Sequence, residues 1–222
     1  MNVVISPAKK LDFESPCEFE ATKPLFQKQT ATLVSELKKC SQEDIKKMMK
    51  LSDNLSELNY ERFQNYKTAK KTSAMYAFNG DTYKGLEAQS LKAGDVEYAQ
   101  SHLHILSGLY GVLRPLDEIK PYRLEMGTRF AFGPHKNLYQ FWDRSITETL
   151  EQLLAEAKSK YLVNCASEEY FKSVKREECG FDIIDVKFLE NKNGAYKLIG
   201  IMAKKARGMM ARYIVQNKVK TL

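Results

Sequence analysis

The sequence predicts an α/β fold: a single domain, residues 1–222, with a central mixed sheet flanked by helices. Three observations lead to it. NVVI at residues 2–5 is an unbroken apolar run, as in a strand buried on both faces. Residues 137–159 repeat with helical period, with Leu138, Phe141, Trp142, Ile146, Leu150, Leu153 and Leu154 on one side. Asn191-Lys192-Asn193-Gly194 lies between the apolar runs 181–190 and 195–203, a hairpin signal that requires an antiparallel pair.

The other elements follow in order. The first strand, 2–6, ends at Ser6-Pro7, and 11–24 is irregular around Pro16 and Pro24. A helical insertion spans about 25–66. Its first helix, 25–39, carries Leu25, Leu33 and Leu37 on one side. Ser41 is an N-cap for QEDIKKMMK, with acids in the first turn and lysines later. A break at Ser52-Asp53-Asn54 precedes a third helix, 55–66. SAMYAF, 73–78, reads as a strand followed by a turn at 79–81. Residues 95–101 read as a helix, HILS (104–107) and YLVNCAS (161–167) as strands, and EEYFKSVK (168–175) as a short helix. The last helix, AKKARGMMARYIVQNK, places Met202, Ala206, Met209, Met210 and Tyr213 on one stripe, expected to face inward. Lys204, Lys205, Arg207 and Arg212 then form a basic outer face that also holds Gly208, where another backbone can approach.

Thirty-five Lys and Arg stand against 28 Asp and Glu, a net charge of +7. Such a balance favours nucleic acid, anionic lipid or phosphorylated ligands as partners. No apolar run approaches the ~20 residues of a membrane span. MNVVISPAKK reads as a strand, not an export signal. The four cysteines show no CxxC spacing and the three histidines add no ligand pattern, so neither metal nor other cofactor is expected. His102 and His104 are read as packing or surface residues. Scattered cysteines point to a reducing cytoplasm.

Chemistry is expected where strands end. In open α/β sheets, ligands bind beyond the carboxyl ends of the strands. Three loops there carry Ser6, Lys9 and Lys10; Gly108, Tyr110, Gly111 and Arg114; and Asn164, Ser167 and Tyr170. If the strands are parallel, Lys9, Arg114, Asn164 and Lys205 line one cleft. Lysine and arginine would neutralise phosphate, and tyrosines would stack on a base. Tyr122 and Arg123 join this candidate cleft, although Arg123 and Glu125 serve equally well as a pair at an exposed edge. Gly108 and Gly111 have the simpler reading of two tight turns. Glu168 and Glu169 suit a helix start. No catalytic triad or HExxH is present, so no catalytic residue is assigned.

ISPAKKLDF, FNGDTYKGL, LSGLYGVLRPLDEIKPYRLEMGTR, LYQFWDRSI, NCASEEYFKSVK and AKKARGMMARYI stand in an order that resembles the YaaA family of bacterial peroxide-stress proteins, from residue 2 to about 217. The resemblance implies a cytoplasmic protein of unusual α/β fold, with a positively charged cleft, that binds DNA and limits damage from intracellular iron under hydrogen peroxide. It implies a helix-hairpin-helix-like element, placed here at 41–66, where Leu51-Ser52-Asp53-Asn54-Leu55 departs from the usual hairpin by having no glycine. The family's aromatic, acidic tail past the last helix has no counterpart before Leu222, and no role of it carries over. The expected partner is duplex or distorted DNA, held through backbone phosphates by Lys9, Lys10, Arg114, Arg123, Lys204, Lys205, Arg207 and Arg212 with little sequence specificity. The alternative is an enzyme acting on a nucleobase or nucleotide at the strand-end cleft. Ligand spacing argues against direct iron binding. The oligomeric state stays open.

Overall fold

The computed structural model describes residues 1–221, with Lys192 described by its backbone alone. Its elements begin with β1 (Asn2–Ile5), α1 (Gln27–Lys38), α2 (Gln42–Met49), α3 (Asp53–Gln64), β2 (Thr72–Ser73), α4 (Ala74–Ala77) and α5 (Asp81–Leu86). The middle of the chain holds α6 (Ala93–His102), β3 (Leu103–Ser107), β4 (Gly111–Leu113), β5 (Glu118–Ile119), α7 (Leu138–Trp142) and α8 (Ser145–Glu156). It ends with β6 (Tyr161–Cys165), α9 (Glu168–Phe171), β7 (Asp182–Asp185), β8 (Glu190–Lys192), β9 (Ala195–Lys197) and α10 (Gly200–Asn217).

Five strands form the central sheet in the order β4-β3-β1-β6-β7. β3, β1, β6 and β7 run parallel, and β4 is the antiparallel edge. All four residues of β1 are buried, as its apolar run requires of a central strand. Ile5 stands opposite Ile105 on one side and Cys165 on the other, so β1 and β6 end level while β3 runs on to Ser107. Helices α6 and α10 pack beside β1 and against each other, and α8 packs on β4. None of the described helices is long and apolar enough to cross a membrane.

The structure corrects four local expectations. SAMYAF is not a strand. Ser73 ends a two-residue pairing with β5, and Ala74–Ala77 form one helical turn, because the N–H groups of Ala74 and Met75 bond the carbonyls of Asp117 and Pro115. The helix expected over 137–159 breaks at Asp143, whose φ is 39°. The break lets Trp142 turn fully inward and donate its indole N–H to Gly108 O at 3.0 Å, while Ile146 and Leu150 remain on the core side. The segment 181–203 divides: Asp182–Asp185 joins the main sheet, the hairpin shrinks to three residues a side, and α10 begins at Gly200.

The fourth correction inverts α10. Its buried residues are Ala203, Gly208, Ala211, Ile214 and Val215, while Met202, Met209 and Tyr213 are 48%, 55% and 58% exposed. Small residues mark the inner side where it crosses α5, because the two helices meet there backbone to backbone. A Cβ on Gly208 would stand 1.7 Å from Thr82 O, and one on Gly85 would stand 2.1 Å from Lys205 O.

The insertion forms as expected. Ser41 and Asp44 close a capping box on α2. Lys50 takes the left-handed position, φ 52°, and the N–H of Leu51 bonds Lys46 O at 3.0 Å. That N–H is consumed in closing α2, and the helix-hairpin-helix reading is not established by this geometry.

Two predictions follow from the packing. Gly208→Ala forces α5 and α10 apart. It is expected to cost about 3 kcal/mol or more, roughly 6–12 °C in Tm, whereas Gly94→Ala, with open space around it, does not lower Tm. Thermal melts of the two variants check this. His104, fully buried with Nε2 2.8 Å from Asn2 Oδ1, has its pKa lowered to about 3 by burial. The unfolded chain therefore binds a proton that the folded chain refuses. Stability is fully present above the ordinary histidine value and is lost as pH falls from there toward 3, by up to about 1.4 kcal/mol per pH unit. Urea unfolding from pH 7 to 4 should show this slope in wild type and a shallower one in His104→Gln.

Candidate functional site

The level ends of β1 and β6 open into a cleft of about 380 Å³. Ser6 follows β1 and Ser167 follows β6. Ser6 Oγ accepts the Ser167 N–H at 2.8 Å, which ties the two loops together. Tyr83 OH donates to Ser6 O at 3.2 Å from α5, bringing the Asn79-Gly80-Asp81-Thr82 turn to one wall. A Cβ on Gly80 would stand 2.9 Å from Ala8 Cβ, so a larger residue would push this wall away from the β1 loop. Tyr122–Glu125 form a second wall, anchored by the 2.7 Å bond between Tyr122 OH and Ser107 Oγ. Lys204 and Arg207 of α10 close the third.

The charges in this cleft are mixed. Lys9 Nζ lies 3.0 Å from Glu125 Oε1, and Arg123 Nη2 donates to the same oxygen at 3.2 Å. Arg123 Nε is buried and has no hydrogen-bond partner among the described residues. Arg62 of α3 feels Arg123: burial first, then that neighbouring charge, lowers its pKa. Glu169 Oε1 accepts the Gly127 N–H at 2.9 Å. Lys10 and Lys204 stand exposed. Arg207 is half-buried and makes no hydrogen bond or ion pair among the described residues, and burial lowers its pKa. It also lines a neighbouring cavity of about 680 Å³ at the ends of β6 and β7. A further hollow of about 410 Å³ beside α4 and α5, which shares Asn79 with the cleft, has Lys84 as its one lining cation among the described residues.

The structure therefore brings together Ser6, Lys9, Lys10, Tyr122, Arg123, Ser167, Tyr170, Lys204 and Arg207. Other expected residues stand elsewhere. Asn164 lines the neighbouring cavity. Its amide donates to Asp185 Oδ1 at 2.8 Å and its oxygen accepts the Ala166 N–H, so both ends are used. Arg176 grips Asp185 in a two-point pair and holds its carboxyl below the usual range. Lys205 lies on the other side of α5. Arg212 donates to the carbonyls of Leu86 and Glu87, closing the C-terminal end of α5.

The glycine-rich loop is corrected too. Gly111 adopts φ 69° and lies between Phe26 and Trp142, where a Cβ would meet rings at 2.8 and 2.9 Å. Gly108 abuts Leu124 O. Tyr110 is buried, and its hydroxyl bonds Tyr66 OH at 2.5 Å and the Lys120 N–H at 2.9 Å. The turn reading of the glycines therefore prevails. Arg114 is held by Asp117, which is fully buried: Nη2 donates to Oδ1 at 2.8 Å, and its own N–H to Oδ2 at 2.8 Å. Its Nη2 also bonds Lys23 O at 3.1 Å.

Sequence reasoning missed Asp81, Thr82, Glu125 and Glu169 as cleft residues. The signal for the first pair was the Asn-Gly-Asp turn in FNGDT. Glu169 was hidden because a helix start explains a glutamate without a site. Among the described residues, no three His, Cys, Asp or Glu side chains group as metal ligands.

Arg114 is expected to be structural. Arg114→Gln leaves Asp117 buried beside an uncharged neighbour and should cost about 3 kcal/mol, roughly 6–12 °C in Tm, with ligand affinity of the folded fraction unchanged. Differential scanning calorimetry paired with a binding titration checks both halves.

Comparisons with known proteins agree with this arrangement of motifs. A UPF0246 protein of Burkholderia multivorans (strain ATCC 17616 / 249) is 47% identical over 226 residues, covering 99% of this chain and 87% of its own. One of Aliivibrio fischeri (strain ATCC 700601 / ES114) is 49% identical over 224 residues, covering 99% and 86%. One of Janthinobacterium sp. (strain Marseille) is 51% identical over 225 residues, covering 99% and 87%. The family model described as "Peroxide stress protein YaaA" matches residues 1–222. With the whole sequence matched, the chain belongs to the YaaA family of peroxide stress proteins.

Proposed function

We propose that this protein binds DNA within the peroxide-stress response and thereby limits oxidative damage linked to intracellular iron. Family membership supports the peroxide-stress role. The observation that carries the DNA reading is Arg207. An arginine half withdrawn from water with no carboxylate or hydrogen-bond partner loses hydration without return. A phosphate completes it. Lys9, Lys10, Arg123 and Lys204 stand around the same opening; the neighbouring cavity past Arg207 is mixed, with Lys172, Lys175 and Lys187 beside Glu168, Glu177 and Glu178. Contacts of this kind read the backbone and not the bases, so duplex or distorted DNA is held with little sequence preference.

The test is the salt dependence of binding. For a labelled duplex titrated at several salt concentrations, Lys9→Ala/Lys204→Ala/Arg207→Ala should flatten the log–log slope by about 0.9 per lost contact, roughly 2.7 in all. Arg212→Ala should leave the slope unchanged, because that guanidinium is spent on α5 carbonyls. An unaltered slope in the triple variant removes the cleft as the DNA surface.

A further inference from the structure

The cleft is too small and too mixed in charge to be only a track for phosphates. Its volume, about 380 Å³, suits one small molecule. A duplex can enter it only as a nucleotide turned out of the stack. It also sits at the switch point of the parallel strands, since β1 has β3 on one side and β6 on the other.

Three carboxylates, Asp81, Glu125 and Glu169, share the cleft with its cations. They oppose the seating of more than one phosphate inside the cleft, whatever its rim contacts. Glu125 and Glu169 each use Oε1, in the contacts with Lys9 and Arg123 and with the Gly127 N–H, while Oε2 of each accepts no hydrogen bond among the described residues. These two oxygens are free to accept from donors such as hydroxyls or amines. Arg207 and Lys204, on another wall, call for an anion. Pro7 and Ala8 add apolar surface to the same cleft. A ligand that meets all three demands has one phosphate, an apolar ring face, and hydroxyl or amino groups.

We propose that the cleft receives a single nucleoside monophosphate unit, its phosphate on Arg207 and Lys204 and its sugar or base donors on Glu125 and Glu169. The unit is either a free nucleotide or one turned out of a DNA strand, and the second source rests on the DNA-binding reading above.

Two arms separate the sources. Calorimetric titration of dAMP into the full chain tests the free nucleotide. A duplex carrying 2-aminopurine opposite an abasic site tests extrusion, by a rise in 2-aminopurine fluorescence alongside anisotropy as the measure of DNA binding. Whichever signal wild type gives, Arg207→Gln should weaken it at least about tenfold, as loss of a charged hydrogen bond to phosphate does. Lys204→Gln should weaken it less, and Lys205→Gln, outside the cleft, not at all. Arg207 makes no hydrogen bond or ion pair among the described residues whose loss would confound the result, and Lys204 provides a second, exposed probe. DNA binding with neither dAMP binding nor a fluorescence rise overturns the proposal and leaves the DNA reading standing. Binding of dAMP without DNA binding supports the proposal and removes the DNA reading. A dAMP or fluorescence signal indifferent to Arg207→Gln overturns the placement of the phosphate.

Discussion

The approach of α5 to α10 governs the rest of this molecule. Gly85 and Gly208 let the two helices touch through backbone, with Thr82 O and Lys205 O occupying space that any side chain would need. Contact of this kind is stiff, because a carbonyl cannot change rotamer to relieve a clash. It sets where α10 crosses the strand ends and so where Arg207 and Lys204 stand. It also holds the start of α5, and Asp81 with it, at the opposite wall. The width of the cleft is thus fixed by two missing Cβ atoms and not by the long charged side chains that line it.

The loop of residues 106–129 is a second organiser, and it works mainly inward. Gly108 carries the carbonyl that Trp142 needs, Gly111 makes room for Trp142 and Phe26, and Tyr110 reaches Tyr66 at the end of the helical insertion. The Lys120 ammonium bonds the carbonyls of Tyr66 and Lys67, each at 2.7 Å, pinning the same insertion. Arg114 and the buried Asp117 bind the irregular segment near Thr22 and Lys23. From this whole stretch, only Tyr122–Glu125 reach the cleft. Dense backbone punctuation beside positive charge was read as a ligand loop, but most of that charge and most of those glycines hold elements together.

Much of the fold was legible because its signals are local. The apolar run of β1, the capping residue of α2 and the Asn-Gly hairpin turn each depend on a few neighbouring residues. The convergence of the loops after β1 and β6 was legible as well, through the rule for parallel strands. The misreadings arose where a distant contact decides. No periodicity in SAMYAF reveals that Pro115 and Asp117 take its N–H groups. The projection of α10 correctly placed Gly208 at a close backbone approach, but it treated bulk as the mark of the inside. At a glycine-mediated crossing, the inside is marked by the absence of bulk. Asn164 and Arg114 were misplaced because their partners, Asp185 and Asp117, satisfy them within the protein, and nothing in their spacing tells a satisfied polar group from an available one.

The inversion of α10 also decides which of its sulfur atoms an oxidant meets. Met202 and Met209 lie on its outer side, open to solvent and with no part in the core. Cys165, near Arg207, is 1% exposed, and burial pushes its thiol up to about 12, so the reactive thiolate is scarce at neutral pH. Peroxide arriving from solvent reaches thioethers before it reaches that thiol. Sulfoxide formed at Met202 or Met209 adds a polar group where water already stands, and it is a form that cells can reduce. The arrangement directs reversible chemical damage to a surface that tolerates it and keeps the sulfur beneath the cleft intact.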